Sequence, residues 1–348
     1  MRQAEAPLLS LRGEIHVSVP LQLSAHASPG DPAEAGDLPN AVLNFVKRRV
    51  YGAFDPSRGD PSSPPAMPTP CSIRVRLASG FPQRKRLFII RHGESTWNKG
   101  QSELDLGAMY SQVDHGLSVE GRRQAEALNA AIDAAKATEV GTAEAVALRE
   151  LCEAEAVLCS PLTRALQTCV IGLRSLLSSS GKVVKLMPNA RERRNHGAND
   201  SIGCCLGEEQ VRARLLEATT AVSEGSDSAA SDWVAGIALD DLEVRSRWWS
   251  AFPEGKEEVN ERLADFMRQV HYAPETTLVL VGHSHWIREL LRANLHPDFA
   301  LQSSEFASQL KSHKLSNCGV ARLELDFSGE QAKPIVDVRL LAGTKLVK

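Results

Sequence analysis

The sequence predicts an α/β fold, a layered sheet whose strands are joined by helices. From Arg86 onward, short apolar runs of strand length alternate with longer segments of helical apolar spacing. The composition, 43% hydrophobic and 24% charged over 348 residues, is that of a globular chain able to bury a sizeable core. That length fits about two domains, or one large domain with appendages, and no internal repeat interrupts the pattern.

Residues 1–85 stand apart. They hold twelve of the eighteen prolines, in stretches such as Ser28-Pro29-Gly30-Asp31-Pro32 and Asp60-Pro61-Ser62-Ser63-Pro64-Pro65. Such stretches support neither a helix nor a central strand, so this is a Pro-rich, largely irregular N-terminal extension. Within it, residues 38–54 place Val42, Phe45, Val46 and Val50 on one helical face and Lys47, Arg48 and Arg49 opposite, which predicts one amphipathic helix. The extension carries a net charge of +3 and the remainder −6.

Residues 86–348 form the second unit. Residues 87–90 (LFII) read as a buried strand. Ser118 caps a helix to about residue 135, with Ala125, Leu128, Ala131 and Ile132 on one face. Residues 156–159 are a second strand, and Ser160-Pro161 starts a helix that runs to about residue 177. A third strand, 182–187, stops at Pro188. A helix follows over 254–270, then a strand over 276–281 and a helix over about 285–295. Residues 318–327 and 335–341 alternate as late strands. Residues 206–252 form a variable insertion with a Ser/Ala/Gly-rich, mobile run at 223–231 and the tryptophans Trp233, Trp248 and Trp249; it reads equally as a surface insertion or as a lid.

Several function classes fall away. A formal charge of −3 argues against a nucleic-acid or membrane-surface binder, and no apolar run approaches the ~18 residues of a membrane span. The seven cysteines show no CxxC pair, and several lie in apolar runs, as buried thiols of a reducing compartment do. The vicinal pair Cys204-Cys205 reads first as two ordinary loop thiols, with a redox switch as the alternative. The short apolar stretch at 17–23 contains Pro20 and follows Glu5 and Glu14, which does not suit a secretory signal and would be atypical of an organellar presequence, so a cytoplasmic location is the default and organellar targeting the alternative.

Four of the predicted strands are each followed by a polar cluster: Arg91-His92-Gly93-Glu94-Ser95 with Asn98, then Ser160-Pro161-Leu162-Thr163-Arg164, then Asn189-Ala190-Arg191-Glu192, then Gly282-His283-Ser284-His285. Ligands of open α/β sheets bind beyond the carboxyl ends of parallel strands. Parallel strands here would therefore gather two histidines, two or three arginines and a carboxylate on one rim. That set suits phosphoryl chemistry: guanidiniums bind phosphate oxygens, an imidazole attacks, and a carboxylic acid protonates the leaving group. His283 and His285 form an HxH, but no carboxylate-rich partner motif accompanies them, so no metal site is expected.

These blocks, together with Asp114-x-x-Leu117-Ser118-x-x-Gly121-x-x-Gln124-Ala125 and the extension of the Ser160 block through Ala165 to Thr168, resemble the histidine phosphatase superfamily, also called phosphoglycerate mutase-like. The resemblance covers about residues 86–348. It implies a three-layer α/β/α sandwich with a mostly parallel central sheet and a two-step mechanism through a phosphohistidine, without metal or other cofactor. By motif match, His92 is the nucleophile, its second ring nitrogen donating to a backbone carbonyl. Arg91, Arg164 and His283 bind the phosphoryl oxygens, with Asn98 and Ser284 as added phosphate or substrate contacts. Glu192 matches the proton donor, and Asp200 is the substitute acid. The implied substrate is a phosphorylated small molecule or phosphoprotein. Where the family's mutases carry Gly-Trp before the aspartate matched by Asp114, this chain has Ser111-Gln112-Val113, and Arg193-Arg194-Asn195-His196-Gly197 fits the mutase pattern poorly. Phosphatase is therefore the leading reading, mutase-type transfer the alternative, and a catalytically silent phospho-ligand-binding module the third.

Overall fold

The structure is a computed structural model that describes residues 17–20, 72–75, 81–138, 141–195, 197, 199–221, 228–329 and 333–348. The helix expected at 38–54 lies outside the described residues. Residues 1–81 with 271–274 form one unit. Its described part holds a two-stranded antiparallel sheet of β1 (Val17–Pro20) and β2 (Ser72–Val75), pairing Val17 with Val75 and Val19 with Ile73. The extension thus holds strand pairing at these two points.

The second unit comprises residues 82–270 and 275–348. Its seven-stranded sheet is built from β3 (Arg84–Arg91), β4 (Ala156–Cys159), β5 (Val184–Leu186), β6 (Leu239–Asp240), β7 (Thr277–Gly282), β9 (Val320–Asp326) and β10 (Ile335–Leu341), in the order β10-β9-β3-β7-β4-β5-β6. The five strands from β3 to β6 are parallel, and β9 and β10 run antiparallel at one edge. A separate pair, β8 (Lys314–Leu315) and β11 (Leu346–Val347), lies near the C-terminus.

Helices α1 (Thr96–Glu103), α2 (Leu106–Tyr110), α3 (Val119–Ala137), α4 (Ala143–Cys152), α5 (Thr163–Gly172) and α6 (Arg174–Ser180) occupy the first half of the sheet's sequence. Helices α7 (Gly207–Ala221), α8 (Ser228–Gly236), α9 (Lys256–His271), α10 (Ser284–Asn294), α11 (Pro297–Gln302) and α12 (Ser304–Ser312) follow. Strand alternation sends Phe88, Ile90, Val157, Cys159, Val279 and Val281 into one core with Leu128 and Ile132 of α3, Leu148 and Leu151 of α4, and Leu166 of α5. Leu87, Ile89, Leu278 and Leu280 point to the opposite face, where α10 packs on β3, so the central strands are covered on both sides. This explains their unbroken apolar runs and gives the three-layer sandwich that the sequence implies.

Two elements differ from expectation. The helix after Pro161 is two helices that meet at Leu173: Gly172 ends α5, where a Cβ would sit 3.1 Å from Leu128 Cδ2, so the close packing on α3 favours glycine over helix continuity. In the 206–252 insertion, residues 228–231 belong to α8, while 222–227 lie outside the described residues. The insertion is built into the body of the fold: β6 extends the sheet, α7 packs on α5, and Trp233 Nε1 donates to Val170 O at 3.1 Å.

Candidate active site

The parallel strands end on one rim, and their ladder continues into the loops that leave it. His92 N donates to Gly282 O at 3.0 Å, Ser160 N to Val281 O at 3.0 Å, and Met187 N to Cys159 O at 2.8 Å. These bonds hold the residues after β3, β4, β5 and β7 in register, so the side chains that follow converge. The loop after β3 is clamped again from the side. Gly93 N donates to Thr168 Oγ1 (3.0 Å), and Ser118 N donates to Glu94 O (2.9 Å). The clamp needs glycine on both sides, because a Cβ on Gly121 would lie 1.9 Å from Glu94 O and one on Gly93 2.6 Å from Gly121 O.

His92, Arg91, Arg164 and His283 are all buried here. His92 Nδ1 lies 2.6 Å from Gly93 O, which can only accept, so Nδ1 carries the proton and Nε2 keeps its lone pair. Arg164 Nε donates to that lone pair at 3.2 Å. Burial, then Arg164 and Arg91, hold the His92 pKa well below its usual value, so the ring is neutral. The His92 and His283 ring centroids are 5.1 Å apart. Burial and the same arginine also keep His283 neutral. Ser160 Oγ takes a hydrogen bond from Leu162 N (3.4 Å) and lies 2.7 Å from His283 Nε2, where either atom can be the donor. The buried Nδ1 of His283 has no hydrogen-bond partner among the described residues.

Arg91 Nη1 donates to Leu315 O (2.6 Å), while its buried Nε has no hydrogen-bond partner among the described residues. Arg164 comes from the first turn of α5, whose N-terminus is fixed by Asp114: Thr163 N donates to Oδ1 (2.8 Å) and Thr163 Oγ1 to Oδ2 (2.7 Å). Arg164 Nη1 donates to Asp200 O (2.5 Å), and Nη2 lies 3.3 Å from Asp200 Oδ2. Burial raises the Asp200 pKa against the pull of Arg164. Unpartnered buried donors beside a neutral imidazole are what an anion of several oxygens would satisfy.

Glu192 is also buried, at the N-terminus of α10. Its Oε1 accepts from Arg193 N (2.9 Å) and Trp286 N (3.2 Å), and Oε2 from His285 N (3.3 Å). The neighbouring arginines turn away: Arg191 pairs with Glu254, and Arg193 Nη2 reaches Glu254 O (3.4 Å). Arg262 ties this segment down through Asn189 O and Arg191 O. Ser284 opens α10 next to His283. Asn98 is placed differently from the rest. Its Oδ1 accepts from Ser95 N (3.3 Å) in a capping box at the start of α1, so its contacts are with Ser95. Trp97 packs edge-on to Tyr110 and His115.

Sequence reasoning did not foresee the 315–318 loop, which supplies the Leu315 carbonyl to Arg91 and the Asn317 amide to His92 O (3.2 Å). Its anchor, β8, is two residues long and leaves no periodic signal. Among the described residues no group of three or more His, Cys, Asp or Glu could hold a metal ion. No helix there is long and apolar enough to cross a membrane.

Residues 87–196, which span His92, Arg164 and Glu192, match the family described as histidine phosphatase superfamily (branch 1). Over these residues the chain is similar to that superfamily. No curated protein matches the sequence significantly. Among solved structures, the domain is similar to a putative alpha-ribazole-5'-P phosphatase of Escherichia coli K-12, at 17% identity over 74% of this chain and 95% of that one, TM-score 0.39. It is similar to a mycobacterial glucosyl-3-phosphoglycerate phosphatase at 20% identity over 74% and 97%, TM-score 0.36. A Bacillus anthracis phosphoglycerate mutase is 14% identical over 74% and 92%, TM-score 0.40.

Proposed function

We propose that this histidine phosphatase domain is a phosphomonoesterase that works through a phosphohistidine on His92, with Glu192 as proton donor. The observation that carries the reading is the tautomer of His92: Nδ1–H is spent on Gly93 O, and the neutral Nε2 faces Arg164. In the first step Nε2 attacks phosphorus while the ester P–O bond breaks. Arg164 leaves Nε2 and, with Arg91 Nε and His283, whose Nδ1 carries the proton in this scheme, takes the phosphoryl oxygens. Donors of this kind contribute ~3–4 kcal/mol each toward the transition state. Asn98 and Ser284 are secondary contacts in this scheme.

Glu192 gives its proton to the leaving oxygen and then draws one from the water that attacks the phosphorus, as the P–N bond breaks and His92 Nε2 regains its lone pair. A phosphate dianion arriving beside a carboxyl favours a proton between them, because like charges do not share a buried site. Asp200 is the second candidate acid, since burial pushes its pKa up and it lies against Arg164. Phosphatase is preferred to mutase because Ser111-Gln112-Val113 replaces the mutase Gly-Trp. The substrate is a phosphorylated small molecule or phosphoprotein. The test is hydrolysis across sugar phosphates, nucleotides, inositol phosphates and phosphopeptides, with His92→Ala as control. Turnover that EDTA leaves intact and His92→Ala abolishes is expected. No hydrolysis, with phosphate ligands still bound, would favour the silent module; exchange between two hydroxyls without release of phosphate would favour the mutase.

A further inference from the structure

Cys204 and Cys205 play no part in the scheme above, and Cys204 is the one exposed thiol among the described cysteines. Cys159, Cys169 and Cys318 are sealed in the core, and burial pushes Cys318 up to about 12. Cys204 is exposed, Cys205 is half-buried, and the two sulfurs are 3.2 Å apart, already in contact. Hydrogen bonding within the pair draws the Cys205 thiol down and pushes that of Cys204 up, so Cys205 is the readier thiolate.

The pair also touches the frame of the site. Cys204 Sγ lies 3.5 Å from Asp114 Oδ2, the oxygen that holds Thr163 Oγ1 at the start of α5. Cys205 lines one small pocket with Asp114, Thr163 and Arg214. Four residues upstream, Asp200 holds Arg164 through its carbonyl and its carboxylate. On the other side, Trp248 Nε1 donates to Cys205 O (2.9 Å), and the ring packs so tightly on Gly203 that a Cβ there would lie 2.5 Å from it. Residues 203–205 are thus packed against Trp248 and lie on the same short segment as Asp200.

We propose that Cys204 and Cys205 form a peroxide-oxidisable dithiol that closes reversibly to a vicinal disulfide and thereby displaces Arg164. The Cys205 thiolate attacks one oxygen of hydrogen peroxide; the O–O bond breaks, hydroxide leaves and takes a proton, and a sulfenic acid forms. The Cys204 sulfur then attacks that sulfur, the S–O bond breaks, and water leaves as the S–S bond forms. Two thiols lose two protons and two electrons in all, and the peroxide becomes two waters. Adjacent Cα atoms are about 3.8 Å apart, short of the about 4.4–6.8 Å that disulfides prefer. The ring is thus readily reopened by thiols, and closing it costs the Cys204 contact to Asp114.

The first readout is mass spectrometry of the peptide containing both cysteines, on wild type and on His92→Ala, before and after a stoichiometric hydrogen peroxide pulse. Loss of two hydrogens, restored by dithiothreitol in both proteins, is expected. This arm does not depend on the phosphatase reading. Absence of that mass change, or oxidation that passes to the sulfinic acid, would overturn the proposal. The second readout, which rests on the proposed function, is kcat/KM. It should fall by about tenfold to a hundredfold, the effect of shifting a positioning group by up to about 1 Å, and recover on reduction. Cys205→Ser should keep the basal rate and lose the sensitivity. A disulfide that forms without altering kcat/KM, or equal inhibition of Cys205→Ser, would overturn the link to Arg164.

Discussion

Replacing Glu192 with glutamine separates its two roles. In the folded protein its carboxylate accepts three backbone N–H groups, two on Oε1 and one on Oε2. A carboxamide has one acceptor oxygen, and whichever way it turns, its NH2 faces at least one of those donors. One charge-assisted hydrogen bond is lost, which costs about 1.5–3 kcal/mol. At roughly 2–4 °C per kcal/mol for a domain of this size, Tm should fall by several degrees while the fold is kept. The kinetic effect is separable from this loss. Without the acid, hydrolysis of an alkyl phosphate should slow by about 100- to 10,000-fold. Hydrolysis of p-nitrophenyl phosphate, whose leaving group barely needs a proton, should stay within about tenfold, or roughly 1.4 kcal/mol. The assay is kcat/KM on both substrates at 25 °C, well below the lowered Tm. Equal losses on both, or none on either, would refute the assignment and pass it to Asp200, to be tested as Asp200→Asn.

Three further outcomes follow from the geometry. His92 and His283 have folded pKa values depressed by burial, so below about pH 6.5 the unfolded chain binds more protons than the native one. Stability should therefore rise with pH toward 6.5, by up to about 1.4 kcal/mol per pH unit for each ring, and be lost as pH falls; a Tm that is flat or falls from pH 5 to 6.5 would contradict this. Gly121→Ala drives a Cβ to 1.9 Å from Glu94 O, a backbone atom that cannot yield cheaply, so a loss of about 3 kcal/mol or more is expected in chemical denaturation. A wild-type midpoint would show that the clamp between α3 and the loop after β3 is dispensable. A chain starting at residue 82 is expected to fold and keep its activity, and insolubility would place part of the extension in the core.

The elements that position the site were legible because they are buried on both faces. The strand at residues 156–159 has the extent expected, and the strand of residues 87–90 grows only by its charged ends, Arg84 to Arg86 and Arg91. The helix capped by Ser118 was fixed at its start by a local bond, Gly121 N to Ser118 Oγ, and at its face by helical spacing. What escaped depends on contacts distant in sequence. The break at Leu173 reflects packing of Gly172 on Leu128, and helix α8 is held where Trp233 reaches the Val170 carbonyl. In the site, residue types and order were readable, but the loop at 315–318 was not, because one backbone carbonyl and the single amide of Asn317 carry its role. Asn98 shows the converse: a motif position whose amide oxygen serves a local cap.

The central claim is a covalent bond between phosphorus and His92. Rapid quench of the enzyme with a labelled phosphomonoester should trap a phosphoenzyme that is labile in acid and stable in base, with the label on the peptide containing His92. It should form and decay fast enough to account for turnover, and His92→Ala should show neither label nor hydrolysis. Turnover by His92→Ala, or hydrolysis by the wild type with no phosphohistidine at any quench time, would contradict the account.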